Sequence, residues 1–319
     1  MTSRTQKVLV TGSCGFILSN FIRKIIYDKH PYEVVSIDRV NSNSTNSMYW
    51  NKNHTFHVAD ICDQHVVDTI FRFEQPDIVI HGAAQTGVDH SLWEPNAYVT
   101  ANVLGTQTII NACQDHKVKR LIYISTDGVY GELKNEAEAP WTEESPTSPR
   151  NPYAATKLAG ELLVKAASQA HGLIYNIVRL SNSYGPYQTT EKLVPLTIKS
   201  LLEGATPPIY GKGEQIRSWT HVFDVTQGLI TILNSGAPNE TYNLSANQEL
   251  PNIVVVQKIC SVLNKDIGNI FYSPKTGHDF RRATNADKLR ALGWKHNYKF
   301  KNGIAETVKW YLTNNWTMK

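Results

Sequence analysis

Residues 7–18 read KVLVTGSCGFIL and give the strongest local signal for the fold. The apolar run at 7–11 predicts a buried strand, and residues 16–27 show the helical spacing of apolar side chains. Two glycines between a strand and a helix are typical of a turn whose backbone N–H groups bind a pyrophosphate at the helix N-terminus. The residues predicted to bind a dinucleotide there are Gly12, Gly15, Phe16 and Ile17.

The third position of this glycine pattern is occupied by Leu18. A glycine at that position lets the helix approach the sheet closely. A leucine therefore predicts a slightly displaced helix and a modest loss of fit for the cofactor.

A second predicted strand, at residues 33–37, ends at Asp38. In dinucleotide-binding folds, an acidic residue at about this separation in sequence from the glycines accepts hydrogen bonds from the adenosine ribose. A carboxylate there repels the 2′-phosphate of NADP, so Asp38 favours NAD, although the neighbouring Arg39 does not exclude NADP. The alternative role for Asp38 is that of a strand-end turn residue.

Three further strands are predicted at residues 55–59, 76–81 and 120–124, with helical stretches between them. Five alternations of strand and helix predict an α/β fold built on a doubly wound parallel sheet. His81, at a strand end, is interpreted as a packed side chain rather than a base. The further residues predicted to contact the dinucleotide follow strand ends and are Asp60, Ile61, Ala83 and Ala84.

Residues 125–127, Ser-Thr-Asp, follow the strand at 120–124 and place a hydroxyl beside a carboxylate. Ligands bind beyond the carboxyl ends of strands in open α/β sheets, so reacting groups are expected here. The alternative is a strand exit that only caps the next segment.

Tyr153 and Lys157 lie four residues apart on a helix predicted from Pro152 to about His171, and therefore on one face. A lysine ammonium near a phenol lowers the phenol pKa from about 10 toward neutrality. This makes Tyr153 a candidate general base. An amphipathic tyrosine beside a solvated lysine is the alternative.

Composition excludes several classes of partner. The chain has 319 residues, a formal charge of +4 and no Lys/Arg-rich run, so neither nucleic acid nor an acidic membrane is expected to bind. Its four cysteines have no paired spacing, which argues against a disulfide framework and a zinc site. Residues 1–7 lack the apolar core of a signal peptide, and no apolar run reaches the length of a membrane span. We expect a soluble cytoplasmic protein that holds no metal.

Together these features resemble the extended short-chain dehydrogenases/reductases and, within them, the nucleotide-sugar 4,6-dehydratases. The resemblance covers nearly the whole chain. Its sharpest segments are residues 125–127, 153–157, 181–187, 191–195, 208–213, 242–243 and 277–281, together with Arg217.

The resemblance implies a Rossmann domain with bound NAD at residues 1–181, with a return segment near 219–235. It implies a smaller mixed α/β substrate domain at residues 182–218 and 236–319. The helical stretches near 252–264, 285–292 and 303–315 are expected to pack there as a lid over the sugar. A homodimer built on helices near 93–116 and 151–171 is also implied.

The resemblance further implies a substrate of the dTDP-glucose or UDP-glucose type. Tyr153 takes the proton of the sugar C4 hydroxyl, Thr126 hydrogen-bonds that oxygen, and Lys157 positions the cofactor ribose. Asp127 is the acid that protonates the departing C6 oxygen. The implied substrate contacts, which include three cations for the two phosphates, are Thr86, Thr126, Asn182, Glu191, Lys192, Leu193, Pro208, Ile209, Tyr210, Arg217, Asn243 and Arg281.

Gly128 departs from the family pattern, which has a glutamate there as the base that removes the C5 proton. Either Asp127 covers both proton transfers, or a water or another residue such as Glu132 replaces the base, or elimination is slow or absent. We expect slow dehydration and a higher rate for Gly128→Glu. Arg282 stands where the family often has tyrosine, so phosphate contacts are expected to be redistributed there.

Two other functions stay open from the sequence. A sugar 4-epimerase uses the same tyrosine and lysine but needs no carboxylate at position 127. A protein that binds NAD or a nucleotide sugar without turnover is the second, and it is supported by Gly128 and Leu18.

Overall fold

The structure, a computed structural model, describes residues 4–40, 51–266, 271–273 and 279–314. Its strands are β1 (Gln6–Thr11), β2 (Tyr32–Asp38), β3 (His54–Val58), β4 (Ile78–His81), β5 (Arg120–Thr126), β6 (Tyr175–Leu180), β7 (Asn182–Tyr184), β8 (Pro208–Tyr210), β9 (Ile216–His221), β10 (Glu240–Leu244), β11 (Glu249–Pro251), β12 (Phe271–Ser273) and β13 (Arg281–Arg282). Its helices are α1 (Phe16–Tyr27), α2 (Gln64–Glu74), α3 (Val88–Trp93), α4 (Pro95–Val99), α5 (Gly105–Asp115), α6 (Pro152–His171), α7 (Leu193–Leu202), α8 (Val222–Ser235), α9 (Asn252–Leu263), α10 (Asp287–Ala291) and α11 (Phe300–Asn314).

The larger sheet has seven parallel strands in the order β10-β6-β5-β4-β1-β2-β3. Parallel neighbours need crossover connections, which the helices between the strands provide. The direction in which strands are added reverses between β1 and β4, and ligands bind at such a point in doubly wound sheets. The predicted α/β fold is confirmed.

Helices cover both faces of this sheet. Val8 and Val10 of β1 pack into one apolar cluster with α1 and α8, whereas Leu9 packs into the other, with α2, α5 and α6. Each aliphatic side chain buried in this way contributes about 1.5–3 kcal/mol. The two clusters hold the carboxyl ends of β1, β4 and β5 in fixed positions along one edge.

A second, smaller unit is built around β9. This strand pairs in parallel with β7 and β13 and antiparallel with β11, while β8 and β12 form a separate parallel pair. A third apolar cluster joins β9 to α7, α9 and α11.

The division between the two units differs from the predicted one. The sequence predicts that the chain rejoins the larger unit only near residues 219–235. In the structure, β10 (Glu240–Leu244) also belongs to the larger unit, because it pairs with β6 as an edge strand of the larger sheet. Leu289 of α10 and Trp294 pack into the cluster of α1 and α8, and the Trp294 indole N–H donates to the Asp224 carbonyl oxygen at 3.0 Å. The helix predicted near 285–292 therefore covers the larger sheet instead of forming part of a lid.

The single helix predicted at 93–116 is interrupted. It consists of α4, a π-helical turn at Thr100–Leu104 and α5, and the separate helix α3 precedes it. The π turn holds Asn102, which is buried and whose side chain bonds both backbone groups of Gln85 and the hydroxyl of Thr156. The segment after β4 is thereby fixed against α6, and π turns often occur at such functional positions.

Candidate active site and dinucleotide site

The turn between β1 and α1 packs closely against the backbone that follows β4. Gly12 has φ +76°, and a Cβ there would lie 2.6 Å from the backbone nitrogen of Ala83. α1 begins at Phe16 with no side chain capping its N-terminus, so its first N–H groups lack helical acceptors. These donors lie where the strand order reverses, and the turn therefore fits the pyrophosphate of a dinucleotide.

The Leu18 side chain packs against the sheet, next to Gly82. This side chain is buried, and a Cβ on Gly82 would lie 2.4 Å from Leu18 Cδ1. Gly82 therefore supplies the room that a third glycine in the turn would otherwise supply. The expected loss of cofactor fit stays a prediction.

Asp38 connects the end of β2 to the glycine turn. The Cys14 N–H donates to its Oδ2 at 2.8 Å, and the Gly12 N–H donates to the carbonyl oxygen of Ile37 at 2.9 Å. Burial raises the pKa of Asp38, and the backbone N–H of Cys14 lowers it. This carboxylate lies one strand away from the phosphate turn, as the predicted ribose contact requires.

Asp60 lies beside Asp38 in the sheet order, at the end of β3. Its Oδ1 accepts from the Cys62 N–H at 2.9 Å, and its Oδ2 lies 3.4 Å from Arg39 Nη1. Ile61 is buried, and its Cδ1 would lie 2.6 Å from a Cβ on Gly105. Because the Ile61 side chain is buried there, only the backbone of Ile61 is available for the predicted contact with the dinucleotide.

His81 is a packed side chain, as predicted. Its Nδ1 lies 2.6 Å from the hydroxyl of Thr11 and its Nε2 lies 3.0 Å from that of Thr106. Burial lowers the pKa of His81 to about 3. The Thr11 hydroxyl also accepts the N–H of Ala83 at 3.2 Å, which fixes the start of residues 83–84 beside β1.

Ser125 and Thr126 end β5 and point to opposite sides of the sheet. The Ser125 hydroxyl donates to Glu161 Oε1 on α6 at 2.5 Å. The Thr126 hydroxyl donates to Asp127 Oδ1 at 3.4 Å and accepts the N–H of Gly128 at 3.2 Å. The strand therefore places Thr126, and not Ser125, beside the carboxylate.

Lys157 is buried on α6, with its Nζ 4.1 Å from the centre of the Tyr123 ring. Burial lowers the pKa of Lys157 to about 7, and Glu161, one turn further along, raises it. Burial raises the pKa of Tyr153 to about 12, helped by the Asp127 charge and opposed by Arg282. The predicted shift of the Tyr153 pKa toward neutrality is therefore wrong for this structure, because burial dominates and the lysine lies over Tyr123.

Arg282 contacts Asp127, which the sequence did not predict; the expected redistribution of phosphate contacts at Arg282 stays a prediction. Its Nη1 lies 3.3 Å from Asp127 Oδ1, and its Nη2 donates to Asn182 Oδ1 at 3.4 Å. The Asp127 side chain is 3% exposed, and its Oδ2 is buried without a hydrogen-bond partner among the described residues. The available signal was the departure from the family's tyrosine at position 282.

Glu132 does not lie beside Asp127 as a replacement base. It forms an ion pair with Arg150 and accepts the backbone N–H of Phe280 at 2.6 Å. Arg150 Nη1 lies 3.7 Å from Asp279 Oδ1, whose other oxygen lies 3.8 Å from Arg282 Nε. Glu132 is therefore connected to Asp127 only through two arginines, and the suggestion that it replaces the base is wrong.

Arg281 faces away from Asp127. β13 pairs in parallel with β9, placing Arg282 opposite Arg217, so these two side chains share a side of the sheet. Arg281 points to the other side and forms two short contacts with Glu249, at 2.6 and 3.0 Å. It also donates to the Glu138 carbonyl oxygen at 2.7 Å. The predicted phosphate contact of Arg281 is wrong, and this arginine anchors the loop that precedes α6.

Arg217 is buried on the same side as Arg282. It donates to the carbonyl oxygens of Ile216 and Asp279, at 2.7 and 2.8 Å. Burial lowers the pKa of Arg217 to about 9, and the Arg282 cation lowers it further. Its contact with a substrate phosphate stays a prediction.

Asn243 does not offer its side chain to a substrate. Its Oδ1 accepts the Tyr130 hydroxyl at 2.8 Å, and its Nδ2 donates to the carbonyl oxygens of Asn285 and Trp141, at 3.0 and 3.3 Å. It is fully buried in β10. The predicted substrate contact is wrong, because the side chain ties the edge of the larger sheet to two loops.

Thr86 and Lys192 lie together although they are distant in sequence. The Tyr98 hydroxyl donates to the Thr86 carbonyl oxygen at 3.0 Å, and Lys192 Nζ lies 3.7 Å from the position of a Cβ on Gly87. The Tyr98 ring packs edge-on against the Tyr153 ring, with centroids 6.3 Å apart. Both predicted substrate residues are thereby placed near the candidate base.

The other predicted substrate contacts lie in the second unit. Glu191 is exposed and pairs with Lys192 at 2.9 Å, and Leu193 packs against the third apolar cluster. In β8, Ile209 is buried in that cluster and Tyr210 is 38% exposed. The roles of Glu191, Leu193 and Pro208–Tyr210 stay predictions, and residues 277–278 of the sequence motif lie outside the described residues.

The model of the NAD dependent epimerase/dehydratase family matches residues 8–245. A dTDP-glucose 4,6-dehydratase from Shigella flexneri is 39% identical over 98% of this chain and 94% of its own length. One from Haemophilus influenzae is 37% identical over 97% of this chain and 98% of its own length. The predicted resemblance is confirmed.

Solved structures agree with this result. A dTDP-glucose 4,6-dehydratase from Streptomyces venezuelae, solved with NAD bound, matches with a TM-score of 0.91 at 34% identity over 97% of this chain and 98% of its own. A UDP-glucose 4-epimerase from Thermotoga maritima, solved with UDP-glucose, matches with a TM-score of 0.89 at 26% identity over 97% of this chain and 100% of its own. The fold is therefore shared by both activities, and the site must distinguish them.

Proposed function

The chain belongs to the NAD dependent epimerase/dehydratase family, and on that premise we propose that it is an NAD-dependent 4,6-dehydratase of dTDP-glucose or UDP-glucose. The choice of a dehydratase over an epimerase rests on the environment of Asp127. Asp127 is a buried carboxylate beside Thr126, and its Oδ2 has no hydrogen-bond partner among the described residues. Loss of water needs a group that moves a proton to the departing oxygen, whereas epimerisation at C4 does not.

The residues present fit NAD. The turn at Gly12 suits its pyrophosphate, Asp38 suits its adenosine ribose, and Lys157 is expected to position its other ribose. Bound NAD would supply a hydride acceptor for the sugar C4 and a hydride donor for C6, so the whole cycle would involve no net redox change.

The side chains at the end of β5 and on α6 carry the proton transfers. Tyr153 takes the proton of the C4 hydroxyl, and Thr126 orients the same oxygen by a hydrogen bond. A ketone at C4 makes the proton at C5 acidic. Asp127 then delivers a proton to the C6 oxygen as it departs as water, which leaves a double bond between C5 and C6 beside the C4 ketone. A hydride at C6 and a proton at C5 then give the 4-keto-6-deoxy sugar at the end of the cycle.

Incubation of the purified protein with dTDP-glucose and, separately, UDP-glucose tests this proposal. We expect the product of at least one to have lost one water by mass spectrometry, at a rate that is slow for this class. Conversion of UDP-glucose to UDP-galactose without a mass change would instead establish an epimerase. Saturable binding of NAD and nucleotide sugar with no product would establish a binding protein without turnover.

We also propose a homodimer formed by the helices on either side of the π turn together with α6. Five large apolar side chains on α3, α4, the π turn and α6 are exposed, which is costly for a monomer; they are Leu92, Trp93, Val99, Leu104 and Leu162. A face of this kind is typical of a surface that is covered by a second copy.

The double variant Leu104→Glu/Leu162→Glu is expected to be monomeric by light scattering at concentrations where the wild-type protein is a dimer. Two carboxylates on an apolar contact carry a desolvation cost that the association must overcome. Phe73→Glu, at a side chain that is 79% exposed on α2, is the control and should leave the mass unchanged. A wild-type monomer, or a dimer that tolerates both glutamates, would contradict the proposed interface.

A cytoplasmic location is proposed as well. The four cysteines are all free thiols, as is usual in a reducing compartment. In the ranges that the structure describes, no helix is long and apolar enough to cross a membrane. Fractionation of the producing cell, with recovery of the protein outside the cytoplasmic fraction, would contradict this location.

A further inference from the structure

Asp127 and Arg282 form a buried ion pair in the candidate active site. Arg282 Nη1 lies 3.3 Å from Asp127 Oδ1, and the two side chains are 12% and 3% exposed. The Thr126 hydroxyl also donates to Oδ1, so both contacts fall on the same oxygen. Oδ2 is left buried and without a hydrogen-bond partner among the described residues. The carboxylate is thus held at one oxygen and free at the other.

Arg282 takes the space beside position 128. A Cβ on Gly128 would lie 3.0 Å from Arg282 Nη1, closer than most Cβ contacts, and 3.4 Å from the Cβ of Ala154. The backbone of Gly128 is outside the left-handed region, so its conformation does not demand glycine. The Arg282 guanidinium therefore occupies the space that the first atoms of a side chain at position 128 would need.

The neighbouring carboxylates face arginines. Glu132 is paired with Arg150, and the two oxygens of Asp279 lie 3.7 Å from Arg150 and 3.8 Å from Arg282. Asp279 Oδ1 is also buried without a hydrogen-bond partner among the described residues, but Asp279 is not hydrogen-bonded to Thr126 as Asp127 is. Within the described part of the chain, Asp127 is the carboxylate of this network with a buried and unpartnered oxygen beside Thr126. Elimination of water needs both a base at C5 and a proton for the C6 oxygen, and the position of Asp127 beside Thr126 suits it to supply both.

We propose that Asp127 performs both proton transfers of the elimination and that Arg282 is the positioning residue that keeps Asp127 ionised with Oδ2 free. This inference rests on the proposed function. The C5–H bond breaks and its proton passes to Asp127 Oδ2, while the electron pair of that bond forms the C5–C6 double bond. The C6–O bond breaks, and the departing oxygen keeps its electron pair and receives the same proton to become water. Asp127 ends as the carboxylate with which it began.

The electrostatics suit a group that both takes and gives a proton. Burial raises the pKa of Asp127, which makes it a stronger base than an exposed carboxylate, and the cations of Arg282 and Arg217 lower it. The nearby carboxylate of Asp279 raises it, and the Thr126 hydroxyl lowers it. Tyr153 is a further titratable group that interacts with Asp127. Removal of the Arg282 charge therefore favours the protonated acid, which cannot remove the C5 proton.

Arg282→Gln, Arg282→Lys and Arg72→Gln test this role, with dTDP-glucose and UDP-glucose as substrates. Arg72 is an exposed arginine on α2, and its variant should behave as wild type. Arg282→Gln is expected to slow loss of water by about 100-fold, and Arg282→Lys by less than about tenfold because it keeps the charge. Oxidation at C4 does not need Asp127, so reduced nicotinamide should accumulate in Arg282→Gln, seen by its near-ultraviolet absorbance. In Arg282→Gln, the pH below which the elimination rate falls should rise by about 1 to 3 pH units.

A rescue experiment separates this role from a structural one. Arg282→Tyr removes the cation, and Gly128→Glu in the same chain adds a second base in the space that it leaves. We expect the double variant to eliminate water at least about tenfold faster than Arg282→Tyr alone. An arginine that only holds the fold together would not be replaced by a carboxylate at position 128, so absence of this rescue would overturn the proposal.

Failures of the two proposals give different results. If wild-type protein removes water but Arg282→Gln does so at the wild-type rate with an unshifted acidic limb, only the role of Arg282 is overturned. If wild-type protein forms no dehydrated product from either nucleotide sugar, the proposed function is wrong and this inference falls with it.

Discussion

Tyr153→Phe is expected to lower kcat by about 10²- to 10⁴-fold, equivalent to about 3 to 5 kcal/mol of transition-state free energy. The phenol oxygen is the group that takes the proton of the C4 hydroxyl, and phenylalanine keeps the ring while it removes that oxygen. Because the ring is retained, its packing against Tyr98 is preserved. Substrate affinity and the melting temperature should therefore change little, and the loss should fall on kcat.

The pH profile gives a second measurement of the same residue. Burial and the Asp127 charge raise the pKa of Tyr153 to about 12, so the phenol stays protonated at neutral pH and the fraction of phenolate grows as pH rises. The wild-type rate should therefore increase through the alkaline range, and Tyr153→Phe should lose this increase. Tyr27→Phe, at an exposed tyrosine of α1, is the control. If Tyr153→Phe keeps more than about a tenth of wild-type kcat, Tyr153 is not the base.

The parts of this site that depend on local pattern could be predicted from the sequence. A short apolar run, a glycine turn and a helical repeat follow each other within residues 7–18, so the signal for the turn is contained in a few residues. The positions of Asp38 and Thr126 follow from the ends of apolar strands, and parallel strands bring those ends to one edge.

The orientation of Arg281 and Arg282 could not be predicted in this way. The strand that holds them is two residues long, so it has no repeat from which a buried face could be read. Its pairing with β9 decides which arginine faces Asp127, and that pairing joins residues about 65 positions apart in the chain. The identity of Arg282, rather than any periodicity, was the available signal.

The environment of Lys157 shows the same limit for a helix. A spacing of four residues places Lys157 and Tyr153 on one face but says nothing about what lies opposite. The structure places Tyr123 of β5 under the ammonium, and burial then controls the pKa values of both Lys157 and Tyr153. Such an effect depends on long-range packing that a local pattern does not encode.

Asp127→Asn is expected to slow loss of water by at least about 10³-fold, toward the upper part of the range for a general acid or base. An amide keeps the shape of the carboxylate but neither removes the C5 proton nor protonates the C6 oxygen. If Asp127 carries both transfers, both are lost together. Oxidation at C4 depends on Tyr153 and should continue, so reduced nicotinamide should accumulate on the variant while the mass of the sugar nucleotide shows no loss of water.

The variant should remain folded, because Arg282 keeps Asp279 and Asn182 as neighbours after the Asp127 charge is removed. Breaking a buried ion pair can cost about 3–5 kcal/mol when the remaining charge has no other partner, so a smaller loss is expected here. Asp287→Asn, at an exposed residue of α10, is the matched control. Wild-type elimination by Asp127→Asn would show that another group moves the proton. Equal loss of C4 oxidation and of elimination would instead indicate a structural role, since only a group that acts after oxidation separates the two half-reactions.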